Sequence, residues 1–214
     1  MFDEIIKKLE IELKRELPGF SAQKLMAPLG RRPPIEYLGE NIIPKKSAVL
    51  ILLYPDAGSR IVKTVLIHRP ENEIGAHAGQ VSFPGGGYEY PDIDLSVTAL
   101  RETEEEIGVD RKTVSLIGPL TPLYIPVSNY MVHPFVGISR YRPDFSIHHQ
   151  EVAGLLECEV STFLSSQNKG TTLKHIKVTK QEMEVPCYLV NGKIIWGATA
   201  MILAEMEELL RRAG

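Results

Sequence analysis

The chain has 214 residues, 43% hydrophobic and 24% charged, enough apolar material for one sizeable core under an ordinary polar surface. Its 24 Lys plus Arg against 27 Asp plus Glu give a net charge of -3, which excludes nucleic-acid binding through bulk charge and requires any phosphate to be held locally. The longest apolar run, residues 48–54, is far short of the roughly 20 residues a membrane helix needs, so a cytoplasmic protein without a membrane partner is expected.

Along the chain, Phe2, Ile5, Ile6, Leu9 and Leu13 recur at helical spacing and predict an amphipathic helix running to residues 17–18. Prolines 28, 33, 34 and 44 then interrupt any period, which predicts an irregular arm over residues 21–46. Residues 48–54 and 61–69 read as a hairpin around a turn at 56–59. Residues 81–83 form a third short strand ending in a glycine-rich turn at 84–87. A helix follows over 94–107, capped by Asp94 or Ser96 and closed by Gly108.

Strands are expected at 114–117, 123–126 and 131–138, whereas residues 151–163 carry apolar side chains without one clean period. Residues 172–178 and 188–195, the latter with an Asn191-Gly192 turn, read as strands, and 198–213 as a closing helix. Cys158 and Cys187 lack metal-ligand spacing and are expected to be buried thiols. The expected class is α+β with a large mixed sheet: an N-terminal helix and arm over 1–45, then one domain over 46–214.

The chemistry is concentrated in residues 101–109, Arg-Glu-Thr-Glu-Glu-Glu-Ile-Gly-Val. At about 100° per residue, Glu102, Glu105 and Glu106 share roughly one 100° arc, and Glu104 points elsewhere. Like charges so close call for a compensating cation, and Mg²⁺ or Mn²⁺ takes oxygen ligands of this kind together with substrate phosphates. Arg101, one turn before Glu105, can orient that carboxylate. A Glu run alone more often marks a solvated helix face. Here Gly85-Gly86-Gly87 stands just before it, where backbone can approach a phosphate or a metal, and the order of the two features reverses those odds.

The segment resembles the signature of the Nudix hydrolases: Gly, five residues, Glu, seven residues, then Arg-Glu-U-X-Glu-Glu-X-Gly-U. Gly87 and residues 101–109 match it, with Thr103 at the first U. Ile93 occupies the isolated Glu position between Asp92 and Asp94. Leu66-Ile67-His68-Arg69, then residues 77–86, and later residues 131–137, Glu151-Val152 and 196–200 are similar to the coenzyme A pyrophosphatase branch, although Gly75 stands where that branch carries an Arg.

The resemblance implies an α/β/α sandwich that hydrolyses a diphosphate with Mg²⁺ or Mn²⁺. Coenzyme A or an acyl derivative would be the small-molecule substrate, giving 3′,5′-ADP and 4′-phosphopantetheine or its acyl form. It implies Glu102, Glu105 and Glu106 as metal ligands with Gly86, and Arg101 and Glu151 as further catalytic groups. Arg69, His77, Gly85 and Gly86 would bind substrate. His77 is also read as a structural histidine, Glu151 as ligand or base. Lys45, Lys46, Arg31 and Arg32 are candidates for a terminal phosphate. ADP-ribose, a dinucleotide or a nucleoside triphosphate are alternative substrates, a non-catalytic nucleotide-binding module is the alternative of another class, and a homodimer is left open.

Overall fold

In the computed structural model, which describes residues 2–38, 42–59, 61–71, 77–176 and 181–214, two apolar faces of one mixed sheet set the architecture. The chain runs α1 (Phe2–Glu12), α2 (Gly19–Gln23), α3 (Pro34–Tyr37), β1 (Lys45–Pro55), β2 (Val62–His68), β3 (Val81–Ser82), β4 (Gly85–Gly87) and α4 (Leu95–Ile107). It continues with β5 (Ser115–Pro119), β6 (Leu123–Ile125), β7 (Tyr130–Ile138), β8 (Gly154–Glu159), α5 (Ser161–Leu164), β9 (Lys169–Ile176), β10 (Gln181–Val190), β11 (Lys193–Trp196) and α6 (Gly197–Ala213).

The main sheet is ordered β3-β2-β1-β7-β5, with β4 also paired to β1, β6 to β7 and β8 to β2. The β1–β7 pairing is parallel, whereas β1 pairs antiparallel with β2 and β4. Because alternate side chains of β1 point to opposite faces, Leu50, Leu52 and Tyr54 pack with Ala99 and Ile107 of α4. Ile51 and Leu53 pack on the other side with α1 and α6, through Phe2, Ile6, Leu9, Met201 and Leu209. Each fully buried Leu contributes about 1.5–3 kcal/mol relative to exposure. A smaller sheet, β11-β10-β9, adds Tyr188, Val190 and Ile195 to the α6 side. The expected helix–sheet–helix layering of the mixed α+β class is therefore present, and no helix among the described residues is long and apolar enough to cross a membrane.

Four expectations need correction. The arm expected to be irregular over residues 21–46 carries the end of α2 and all of α3, and β1 opens at Lys45. Helix α1 stops at Glu12 rather than near residue 17: after Leu13 N–H donates to Leu9 O, the bonds Lys14 N–H to Ile11 O and Arg15 N–H to Glu12 O tighten the chain, and Leu17 is disfavoured in a helix by Pro18. The glycine-rich turn is a strand, with Gly85, Gly86 and Gly87 opposite Val49, Ala48 and Ser47. Residues 151–163 hold strand β8, which lies in register with all but the first residue of β2. Both cysteines are free and buried, and burial pushes the Cys158 thiol up to about 12.

Candidate active site

Asp94 opens α4 by accepting from the N–H groups of Ser96 and Val97, which settles the cap, and Gly108 closes the helix at φ +73. With its ends fixed, α4 lies against β4, and the two glycines that face it differ in function. At Gly85 (φ +148) a Cβ would stand 2.3 Å from Ala48 O and 2.6 Å from Val49 Cα, so close strand pairing requires glycine. At Gly86 a Cβ would stand 2.4 Å from Glu102 Oε2. Gly86 makes the space in which the Glu102 carboxylate rests against the sheet.

Glu106 is 2% exposed; its Oε2 accepts from Gly85 N–H at 2.8 Å, and its Oε1 lies 3.7 Å from the Arg69 guanidinium. Burial is the main reason its carboxyl is pushed up to about 8; the Gly85 amide and Arg69 pull the other way, and Glu102 and Glu151 reinforce the rise. Burial likewise raises Glu102 against the pull of Arg101, with Glu105 and Glu151 adding to the rise. The Glu151 charge is thus felt by both helix carboxylates.

Its position comes from a strap ahead of β8. Ser146 N–H donates to Ile107 O, His148 N–H to Glu106 O, and Ala153 N–H to His68 O. These bonds tie the strap to the end of α4 and to the end of β2. Glu151 itself is exposed and lies 3.3 Å from His148 Nδ1.

Arg101 organises the other half of the site. It makes two bonds of 3.0 Å to the Asp92 carboxylate, one of 3.1 Å to Gly87 O, and contacts of 2.9 and 3.0 Å to Glu105 and Glu102. Asp92, also bonded by Thr98 Oγ1 at 2.8 Å, is held near 2 chiefly by the Arg101 guanidinium. Of the two acids flanking exposed Ile93, Asp92 pairs with Arg101, and Asp94 is engaged as the cap. Glu104 turns away to Arg111 at 2.6 Å, as the helical arc predicts.

Glu102 and Glu106 thus meet beside β4, while Glu105 is turned out to Arg101 and Glu151 to His148. Among the described residues no three Asp, Glu, His or Cys side chains form a ready-made metal cage. The donor set still fits a hard divalent cation: these are carboxylates, and two of them carry raised pKa values that a nearby positive charge would relieve.

The remaining candidates lie apart from this cluster. His77 bonds Gln80 Oε1 at 3.3 Å and Ser128 Oγ at 3.2 Å, a bridge between two loops. Arg31 is held against the Tyr124 carbonyl and the Tyr37 ring, and burial lowers its pKa. Arg32 lies over the same ring, and Lys45 over Tyr130. Gly75 falls outside the described residues. The Arg101–Asp92 clasp, the Gly86–Glu102 contact and the strap were not singled out from sequence. Only the acidic pair around Ile93 pointed toward any of them.

Gly86→Ala should lower turnover roughly 10- to 100-fold while leaving the melting temperature nearly unchanged, because the new methyl displaces the flexible end of Glu102 and not backbone. Steady-state kinetics beside thermal melts checks this; unchanged turnover would remove Glu102 from the site.

Residues 44–165 match the NUDIX domain family. A protein described as an uncharacterized Nudix hydrolase, NudL of Yersinia pestis (strain Pestoides F), is 34% identical over 164 residues, 77% of this chain and 79% of its own. Its counterpart in Yersinia pseudotuberculosis serotype O:1b (strain IP 31758) gives the same figures. Among solved structures, the MutT protein of Methanosarcina mazei Go1 superimposes with a TM-score of 0.49 at 16% identity, covering 79% of this chain and 96% of that one. The NUDIX domain of Shewanella oneidensis NrtR complexed with ADP ribose gives 0.44 at 16% identity, covering 61% and 85%. On the family match and the identity to NudL over most of both sequences, this chain belongs to the Nudix hydrolase family.

Proposed function

We propose that the domain over residues 46–214 cleaves the diphosphate bridge of coenzyme A or acyl-coenzyme A with Mg²⁺ or Mn²⁺, giving 3′,5′-ADP and 4′-phosphopantetheine or its acyl form. The observation that carries the reaction class is the pair Glu102 and Glu106 on the face of α4 that meets the glycine strand, Glu102 against Gly86 and Glu106 on the Gly85 amide, with Arg69 3.7 Å from Glu106. The substrate reading rests on the pattern from Arg69 to Gly86.

Glu102 and Glu106 would hold the cation, with Glu105 able to join them on leaving Arg101 and Gly86 keeping Glu102 in place. When bound, the cation neutralises charge on the diphosphate and makes water a stronger nucleophile. Glu151, exposed and 3.3 Å from His148 Nδ1, takes the proton as water attacks phosphorus and the bridging P–O bond breaks. Arg69 binds a phosphate oxygen, and Arg101, clamped by Asp92, fixes α4 to Gly87 O.

A panel of coenzyme A, dephospho-coenzyme A, ADP-ribose, dinucleotides and nucleoside triphosphates with each metal, with products resolved by mass, tests this reading. The highest kcat/KM is expected for coenzyme A. A clear preference for ADP-ribose would overturn the substrate and leave the reaction class standing.

The raised Glu106 carboxyl gives a separate expectation. Its folded pKa of about 8 lies above the ordinary carboxyl value of about 4.5, so without metal this group costs stability increasingly as pH rises from about 4.5 through 8. A cation that needs the carboxylate must displace the proton below that range. Calorimetric Mg²⁺ or Mn²⁺ titrations at pH 7 in two buffers of different ionisation enthalpy should show proton release, with affinity strengthening up to about pH 8. Binding without proton release at pH 7 would contradict a metal on Glu106.

A further inference from the structure

Arg69 stands one residue beyond the end of β2, at the start of the loop that leads to β3, and β3 meets β2 through only Ser82 opposite Ile67 and Val81 opposite His68. So short a ladder fixes the loop weakly by itself. Three backbone bonds gather its ends: Arg69 N–H donates to Gln80 O at 3.0 Å, Gly79 N–H to Pro70 O at 3.1 Å and Gln80 N–H to His77 O at 3.2 Å. Gly79 stands at φ +69, a left-handed position that favours glycine and lets residues 77–80 fold back onto Pro70. The backbone of Arg69 therefore depends on the turn at 77–80.

His77 ties that turn to a firmer part of the fold. Its Nδ1 lies 3.3 Å from Gln80 Oε1 and its Nε2 3.2 Å from Ser128 Oγ. An amide oxygen only accepts, so in the neutral imidazole Nδ1 carries the proton and Nε2 accepts from the Ser128 hydroxyl. Both ring nitrogens are engaged, which leaves neither for a phosphate and separates His77 from the substrate-binding role that the family resemblance implies.

Ser128 belongs to the turn between β6 and β7, which is held from three directions. Asn129 O accepts from Lys45 N–H at 2.8 Å, Asn129 Oδ1 accepts from Tyr124 Oη at 3.0 Å, and Asn129 Nδ2–H donates to Ile43 O at 3.3 Å. Beyond the turn, β7 pairs with β1 from Tyr130 opposite Lys45 to Ile138 opposite Leu53. Contacts run unbroken from this frame to the site: Ser128 to His77, His77 to Gln80, Gln80 to Arg69, and Arg69 to Glu106 at 3.7 Å.

We propose that His77 is a positioning residue: through Ser128 on one side and Gln80 on the other it fixes the backbone of Arg69, so that the guanidinium meets a phosphate oxygen of the substrate beside Glu106. The proposal rests on the reading that Arg69 binds that oxygen, and holds whichever diphosphate is the substrate. A group displaced by about 1 Å can cost up to about 10²-fold in rate, and loosening one tie of several should cost less.

The test is steady-state kinetics on the panel substrate turned over fastest, with Mg²⁺, for the full chain and its His77→Ala, His77→Gln, Ser128→Ala, Arg69→Ala and Arg69→Ala/Ser128→Ala variants. Hydrogen exchange of the amides in residues 69–80 is read beside it. His77→Ala should raise KM about 5- to 50-fold with kcat within roughly threefold, because a contact made equally before and during reaction is weakened. Ser128→Ala, which removes only the tie, should raise KM about 3- to 10-fold. It should also speed exchange of the Arg69 and Gly79 amides while those of β1 and β7 stay as they are. His77→Gln, whose amide can still reach Ser128, should recover most of the loss. In the Arg69→Ala background Ser128→Ala should cost nothing more, because it acts through Arg69. Losses that add, or unchanged exchange, would overturn the tie and leave the role of Arg69 intact. An Arg69→Ala variant as active as the wild type would overturn that role and the proposal with it, while metal-dependent hydrolysis stands.

Discussion

Glu106→Gln should lower kcat by roughly 10² to 10⁴, the scale of removing a metal ligand or a proton acceptor, without lowering the melting temperature. The variant keeps the side chain's shape beside Gly85 N–H and removes an acid whose ionisation burial disfavours, so a loss of activity cannot be ascribed to unfolding. Glu102→Gln and Glu105→Gln should fall in the same range, since both lie on the same arc of α4. Glu104→Gln is the internal control. Its carboxylate is bound to Arg111 on the far side of the helix, so activity should stay near wild type. Steady-state kinetics on the four variants, with melts of each, checks the set. Damage from Glu104→Gln equal to that from Glu106→Gln would refute the assignment of faces.

What sequence made legible was whatever a local period or cap encodes. The branched apolar run 48–54 and the turn at 56–59 give β1, the Asp94 cap and Gly108 bound α4, and the arc of Glu102 and Glu106 against Glu104 follows from helical pitch alone. Strand β4 escaped because three glycines carry no side-chain period; its pairing with residues 47–49 of β1 is a backbone matter. Strand β8 escaped because the Glu151 turn precedes it, it opens on Gly154, and its register is set by β2, some 90 residues earlier in the chain.

Long-range bonds account for the rest. The two acids beside Ile93 look alike in sequence; they separate only because Asp94 is engaged at the cap while Thr98 and Arg101 converge on Asp92. Arg31 reads as a free cation until Tyr37 and Tyr124 are folded around it. The placement of Glu151 depends on the bonds from Ser146 to Ile107 and from His148 to Glu106, which have no local signature.

The central claim is that carboxylates crowded beside a glycine strand act through a divalent cation. Glu102 and Glu106 both have raised pKa values, so without a cation the pair is a poor combination: one member resists ionisation, and neither can offset charge on a diphosphate. The most direct measurement is turnover of coenzyme A by the full chain in excess chelator, followed by graded return of Mg²⁺ or Mn²⁺. Activity should be abolished by the chelator and restored by metal, with 3′,5′-ADP and 4′-phosphopantetheine as products; full turnover persisting in the chelator would contradict the account.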